Sequence, residues 1–174
     1  HLSIRRQRQM CIRDRFRIPA LNLSAMPVIA EYFAKLELRR PLIVSPDIGA
    51  LHLAAALSER IGAEYTSFEK KRDRVGGAVT TIAKSLDAKG RDVVIVDDII
   101  STGSTIVNAA QLVRKEAVRD IFAACTHALL TQDARTKICQ SGIKEIVGTD
   151  CVASEVSVVS VAYLVAEALR KFMC

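Results

Sequence analysis

Residues 93–105, VVIVDDIISTGST, decide the fold of this chain. They open on four β-branched apolar residues, 93–96, a run typical of a strand that is buried on both faces of a parallel sheet. Asp97 and Asp98 follow, and after two isoleucines comes a hydroxyl-rich segment, 101–105, with one glycine. Apolar residues then recur at helical spacing, at Ile106, Ala109, Ala110, Val113 and Ala117. The pattern predicts a buried strand, a polar loop and a helix that begins at that loop.

This layout indicates an anion site beside an acidic pair. The loop hydroxyls and the unpaired backbone N–H groups at the start of a helix can hold a monophosphate. The carboxylates upstream can accept hydrogen bonds from sugar hydroxyls or hold a metal, so a sugar phosphate would meet both features. The nucleotide motifs G-x-x-x-x-G-K-[ST] and G-x-G-x-x-G are absent from the sequence. The alternative interpretation is a structural helix cap that follows two solvated aspartates.

Strand-like and helix-like segments alternate along the rest of the chain. Buried strands are predicted at 41–45, 63–68, 120–126, 145–149 and 156–159, with helices between most of them. A strand or half of a hairpin is predicted at 79–86, and the charged stretch 69–77, EKKRDRVGG, is predicted to be a loop. This order predicts an α/β fold, a doubly wound, mainly parallel sheet flanked by helices. Its ligands should lie at the carboxyl ends of the strands.

Composition narrows the class of protein. The chain of 174 residues suits one α/β domain, and its longest apolar stretches carry charges, so we expect no membrane span. The five cysteines are scattered, which favours a reduced, cytoplasmic protein without a zinc site. The net charge of +6 is concentrated in residues 1–17, which hold six arginines and one acid, and the rest is nearly neutral. We therefore expect no nucleic-acid partner.

The amino-terminal segment, residues 1–15, differs from the remainder. HLSIRRQRQMCIRDR has no sustained period and an arginine density found nowhere downstream. We expect a non-native or disordered basic extension, since the segment resembles translated sequencing-adapter read-through, although a nucleic-acid arm or a targeting peptide would share its charge. The folded domain is predicted to occupy residues 16–174.

The central stretch resembles a known signature. VVIVDDIISTGSTI is similar to the phosphoribosyl-diphosphate (PRPP) motif of type I phosphoribosyltransferases and of ribose-phosphate diphosphokinases. The flanking segments resemble the diphosphokinases: NLSAMPVIAEYF, VSPDIGALHLAAAL, FEKKRDR, CTHALLT and VGTD occur in that order. Ser104 stands where many members have a second glycine, and we expect little effect, because serine keeps the backbone amide and can cap the helix. Ala117 replaces a glycine that commonly ends this helix, so we expect a strained turn.

The resemblance implies a type I phosphoribosyltransferase-like domain that forms the second half of a two-domain synthetase. The implied reaction is the Mg2+-dependent transfer of the diphosphoryl group of ATP to ribose 5-phosphate, which gives PRPP and AMP. Its substrates would be ATP and ribose 5-phosphate. The protein would be a homo-oligomer in the cytoplasm. The alternatives are a nucleobase phosphoribosyltransferase, for which no hood segment is left over, and a catalytically silent regulatory homologue that binds PRPP.

Roles for individual residues follow from the same resemblance. Ribose 5-phosphate would be bound by Asp97, Asp98, Ser101, Thr102, Gly103, Ser104 and Thr105. Lys70 and Arg72 would be catalytic, as cations beside the charge that develops on the transferred group. Asp47 would bind Mg2+. On the residues alone, Asp47 is about as well explained as a helix cap. For Lys70 and Arg72 the alternative is a solvated charge run, which is the less favoured interpretation.

Overall fold

The computed structural model describes residues 18, 20–72, 79–82, 87–131 and 133–173, with the backbone alone for 69–72, 79–82 and 172–173. The chain divides into two compact units. The larger is Ala25–Val161, and the other combines the segments His1–Ser24 and Ala162–Cys174. Within the described residues, none of the helices combines the length and apolar character needed to cross a membrane.

The larger unit is built on a parallel sheet. Its strands, numbered along the chain, are β1 (Leu42–Ser45), β2 (Glu64–Ser67), β3 (Glu69–Arg72), β4 (Val79–Ile82), β5 (Val93–Ile100), β6 (Ile121–Ala128), β7 (Glu145–Thr149) and β8 (Ser157–Val159). Six of them form one sheet in the order β2-β1-β5-β6-β7-β8, and each neighbouring pair is parallel. Strands β3 and β4 form a separate antiparallel hairpin.

Helices cover both faces of this sheet. They are α1 (Met26–Ala34), α2 (Leu51–Ile61), α3 (Ser104–Arg114) and α4 (Ala134–Gln140). A fifth described helix, α5 (Ala162–Met173), belongs to the smaller unit. Ile106 of α3 and Ile138 of α4 share a buried cluster with Ile95 of β5. On the opposite face, Phe33 of α1 meets the Phe122 ring edge to face at 5.9 Å. The predicted doubly wound α/β fold is confirmed.

Strand β5 is the centre of the sheet and reaches beyond its neighbour β1. Val93–Ile95 pair with β1, whereas β5 pairs with β6 as far as Ile100. The four residues 93–96 are fully buried, as their β-branched run predicts. The sequence placed the acidic pair after the strand, but Asp97 and Asp98 belong to it because β6 continues the pairing.

The chain reverses direction across the sheet between β1 and β5. It runs from β1 outward to β2, and after the hairpin it returns to place β5 on the other side of β1. In an open α/β sheet, the crevice outside the carboxyl ends of the strands at such a switch point is the usual ligand site. The turn after β1 and the end of β5 therefore meet at the expected place.

Two local predictions fare differently. Residues 69–72 were predicted as part of a loop, but they form β3, paired in register with β4. All four partner residues, Val79–Ile82, are β-branched, which favours an extended conformation. Residues 73–78 and 83–86 lie outside the described residues. The strained turn at Ala117 is confirmed by its left-handed backbone, with φ 51°.

Candidate functional site

The first element of the site is the turn that follows β1. The Asp47 carboxylate accepts hydrogen bonds from the backbone N–H groups of Gly49 (2.8 Å) and Ala50 (3.3 Å), and it caps a short 3-10 turn at Ile48–Ala50. The Ser45 hydroxyl donates to the Asp47 carbonyl at 2.8 Å, which fixes the same turn. Asp47 is therefore a cap, as the alternative interpretation held, and its carboxylate is fixed at the edge of the sheet.

The acidic pair at the end of β5 is partly buried and electrostatically coupled. The backbone N–H of Asp98 donates to the Asp97 carboxylate at 2.9 Å, and that of Ile99 donates to the Asp98 carboxylate at 2.8 Å. Burial, opposed by the Asp98 N–H and reinforced by the charges of Asp98 and Asp47, raises the pKa of Asp97 to about 7. The fold thus brings Asp47 to the same edge of the sheet as Asp97 and Asp98, which follow it by 50 and 51 residues in sequence.

The hydroxyl loop forms the third element. The side chains of Ser101, Thr102, Ser104 and Thr105 are exposed, whereas Gly103 between them is buried. Gly103 has a left-handed backbone with φ 74° and is the N-cap of α3, so Ser104, which could have capped the helix, does not. Ser104 is instead the first residue of the helix, and its Oγ lies 3.2 Å from Oγ1 of Thr102.

The start of α3 is suited to an anion. Helix α3 runs for 11 residues, and the backbone N–H groups of a first helical turn have no partner within the helix. The helix dipole adds partial positive charge there, and the loop hydroxyls can donate as well. A phosphate at this position would contact the hydrogen-bond donors of the loop. The carboxylates lie apart from it, on β5.

Lys70 and Arg72 are placed by the backbone alone. Both belong to β3, at positions opposite Thr81 and Val79 of β4. Strand β3 begins directly after the carboxyl end of β2, where the Phe68 N–H donates to the Ser45 carbonyl at 3.2 Å. The chain therefore leaves the ligand edge of the sheet at Phe68 and enters the hairpin. Their catalytic role stays a prediction.

Two supports beneath the loop were not predicted from the sequence. The Thr131 N–H donates to the Ser101 carbonyl at 3.1 Å, and Ile138 of α4 packs below Gly103. No local pattern marks either contact, because about thirty residues separate the partners. Within the part of the chain that the structure describes, no group of three histidines, cysteines or acidic residues is arranged to hold a metal.

Comparisons with known proteins agree with this geometry. A family model for the phosphoribosyl transferase domain matches residues 16–163. The chain is 42% identical over 160 residues to the ribose-phosphate pyrophosphokinase of Methanothermobacter thermautotrophicus, covering 92% of this chain and 55% of that protein. The protein of the same name from Methanopyrus kandleri is 43% identical over 156 residues, covering 89% and 53%. The chain thus spans about half the length of the curated relatives it matches.

Solved structures share the fold. Phosphoribosylpyrophosphate synthetase from Mycobacterium smegmatis superposes with a TM-score of 0.73 at 24% identity, covering 91% of this chain and 53% of that one. Adenine phosphoribosyltransferase from Giardia lamblia gives 0.58 at 15% identity, covering 71% and 75%. These likenesses show the architecture alone, and the resemblance to ribose-phosphate diphosphokinases is confirmed by the sequence relatives. The chain belongs to the phosphoribosyl transferase domain family.

Proposed function

We propose that this domain binds ribose 5-phosphate and PRPP and works as part of a ribose-phosphate diphosphokinase. The observation that carries the proposal is the pairing of an acidic strand end, Asp97 and Asp98, with an exposed hydroxyl loop that opens α3. Relatives that cover most of this chain are named ribose-phosphate pyrophosphokinases, which supports the same activity. The substrates would be ATP and ribose 5-phosphate, in a cytoplasmic homo-oligomer.

The two ends of ribose 5-phosphate would be held by different elements. The sugar hydroxyls donate to the carboxylates of Asp97 and Asp98, and the phosphate accepts from the loop 101–105 and the first amides of α3. The oxygen of the 1-hydroxyl then attacks the β-phosphorus of ATP. The bond from that phosphorus to the α,β-bridging oxygen breaks, AMP leaves and the hydroxyl proton is lost. Lys70 and Arg72 are proposed to stabilise the charge on the transferred group.

A Mg2+ ion fits the donor set at this edge. Asp47 supplies a hard oxygen ligand fixed by its cap, close enough to Asp97 to help raise its pKa. Mg2+ is commonly held by one or two carboxylates together with substrate phosphates, so a single protein ligand is sufficient. Bound there, it would neutralise charge on the phosphate oxygens. Asp47 is the residue we propose to hold it.

Ligand binding is tested with Asp98→Ala. Calorimetry with ribose 5-phosphate should show affinity reduced about 10- to 100-fold, because hydrogen bonds to a charged group are worth about 1.5–3 kcal/mol. Asp87→Ala is the matched control, since Asp87 has an exposed side chain and precedes the amino end of β5. Unchanged affinity in Asp98→Ala would contradict the proposed site, and so would wild-type protein that does not bind.

Turnover is tested in a longer protein, because the relatives are about twice the length of this chain. The part of the M. thermautotrophicus protein that this chain does not match is joined to residues 16–174, and AMP release is measured with Mg2+. Lys70→Ala and Arg72→Ala should each remove most turnover while ribose 5-phosphate affinity stays the same. Lys171→Ala, an exposed lysine on α5, is the control. Full turnover in both hairpin variants would refute their catalytic role.

A further inference from the structure

The hydroxyl loop rests on the body of the protein at Gly103. This residue is buried between exposed neighbours, and its Cα faces the side chain of Ile138. A Cβ built on Gly103 would lie 2.9 Å from both Cδ1 and Cγ1 of Ile138 and 3.5 Å from the carbonyl oxygen of Ala134. Glycine is therefore required here for the close approach as well as for its positive φ. The Ile138 side chain therefore limits how closely the loop can approach α4.

A second contact ties the same loop to the same segment. The Thr131 N–H donates to the Ser101 carbonyl at 3.1 Å, and the Thr131 carbonyl accepts from the Ala134 N–H at 2.9 Å. Ala134 is the first residue of α4 and is fully buried. The loop and α4 thus form a closed series of contacts, from Ser101 through Thr131 and along α4 to Ile138 and back to Gly103.

Ile138 itself is enclosed by the core. Its side chain is fully buried, in a cluster that includes Ile100 at the end of β5 and Ile106 in the first turns of α3. Interiors packed in this way transmit a change of a single methylene. The acidic pair has a different support, because Asp97 is held in β5 by its pairing with β6. A change at Ile138 should therefore move the loop and leave the carboxylates in place.

We propose that Ile138 is a positioning residue for the phosphate end of the ligand, an inference that rests on the proposed function. Helix α4 fixes the position of the loop relative to the acidic pair. Ile138 touches no ligand and acts through Gly103. The sheet holds the hydroxyl end of the ligand, and α4 holds the phosphate end.

The first test compares Ile138→Val with Ile121→Val. Both remove one methylene from the same buried cluster, but Ile121 lies at the amino end of β6, away from the loop. The two variants should melt at similarly reduced temperatures. Only Ile138→Val should speed amide hydrogen exchange at Val107 and Thr131 of the ligand-free protein, whose N–H groups donate to the carbonyls of Gly103 and Ser101, and weaken ribose 5-phosphate binding by about two- to tenfold.

A second pair of variants tests the contact itself. Gly103→Ala places a Cβ against Ile138, and adding Ile138→Ala removes both crowding atoms. The double variant should bind ribose 5-phosphate more tightly than Gly103→Ala alone. Both variants should still melt below the wild type, because alanine is strained in the left-handed region.

The outcomes separate this inference from the proposed function. Wild-type protein that does not bind ribose 5-phosphate overturns the proposed function, and hydrogen exchange alone then decides whether Ile138 positions the loop. Equal exchange of Val107 and Thr131 in Ile138→Val and Ile121→Val overturns the positioning role even when the wild type binds. So does a double variant no better than Gly103→Ala.

Discussion

Replacing Ala117 with glycine should stabilise the protein. Ala117 lies between the end of α3 at Arg114 and the start of β6 at Ile121, with φ 51°. Its carbonyl accepts a hydrogen bond from the Gly90 N–H at 3.0 Å, which ties this turn to the one before β5. The Ala117 side chain is exposed, so the substitution removes no buried contact.

The size of the effect follows from two opposing terms. A left-handed backbone costs a residue with a Cβ about 1–2 kcal/mol, and glycine is free of that strain. Glycine loses more freedom on folding, which offsets about 0.5–1 kcal/mol. The net gain is about 0.5–1 kcal/mol, and for a chain of this length it corresponds to about 1–4 °C in melting temperature.

Chemical and thermal unfolding followed by circular dichroism measure this gain. Ala56→Gly is the matched control, since Ala56 lies in the middle of α2, where the same substitution should destabilise by about 0.5–1 kcal/mol. The two variants should therefore shift the unfolding midpoint in opposite directions. Destabilisation by Ala117→Gly equal to that by Ala56→Gly would refute the strain argument. Ribose 5-phosphate affinity should not change, because the turn precedes the amino end of β6.

Two further predictions concern pH and the amino terminus. The pKa of Asp97 is raised from 3.8 to about 7 on folding, so its stabilising contribution is fully present below about pH 4 and is lost as pH rises through 7. The unfolding free energy, measured without Mg2+, should fall over that range more steeply in the wild type than in Asp97→Asn, and parallel curves would contradict the raised pKa. Protein that starts at Phe16 should melt at the same temperature as the full chain, since residues 1–15 carry charge but no periodic apolar pattern. A clearly lower melting temperature would show that they pack on the domain.

The sequence predicts the fold to the extent that local patterns control it. Four consecutive β-branched residues, 93–96, can be buried on both faces only in the middle of a covered sheet, and that is where β5 lies. The end of β5 was not predicted, because Asp97 is extended through pairing with Cys125 of a strand 28 residues away. The strand at Glu69–Arg72 was missed for the same reason, since its strand character depends on the β-branched partner Val79–Ile82, which lies within the strand or half-hairpin predicted at 79–86.

The same distinction between local patterns and distant contacts applies to the candidate site. The parallel sheet predicted from the sequence places the carboxyl ends of its strands at one edge, and Asp47 and Asp97 lie at that edge. The structure adds that their strands are neighbours. Chemistry within the site needed coordinates: the cap made by Asp47, the left-handed Gly103 and the raised pKa of Asp97 all depend on distances. The division of the chain at residue 16 and the roles of Lys70 and Arg72 stay predictions.

The edge of the sheet has to hold two opposed charges, and the arrangement of its elements explains how it can. Asp47, Asp97 and Asp98 gather negative charge where the proposed ligand carries a phosphate, and the charges of Asp98 and Asp47 add to burial, the main cause, in raising the pKa of Asp97. A phosphate beside them would be repelled. The fold separates the two functions, because β5 carries the carboxylates and the start of α3, at Gly103, provides the donors. A ligand with hydroxyls at one end and a phosphate at the other can bind the carboxylates and the loop together. A smaller anion can bind only the loop. Inorganic phosphate should therefore bind more weakly than ribose 5-phosphate and be insensitive to Asp98→Ala.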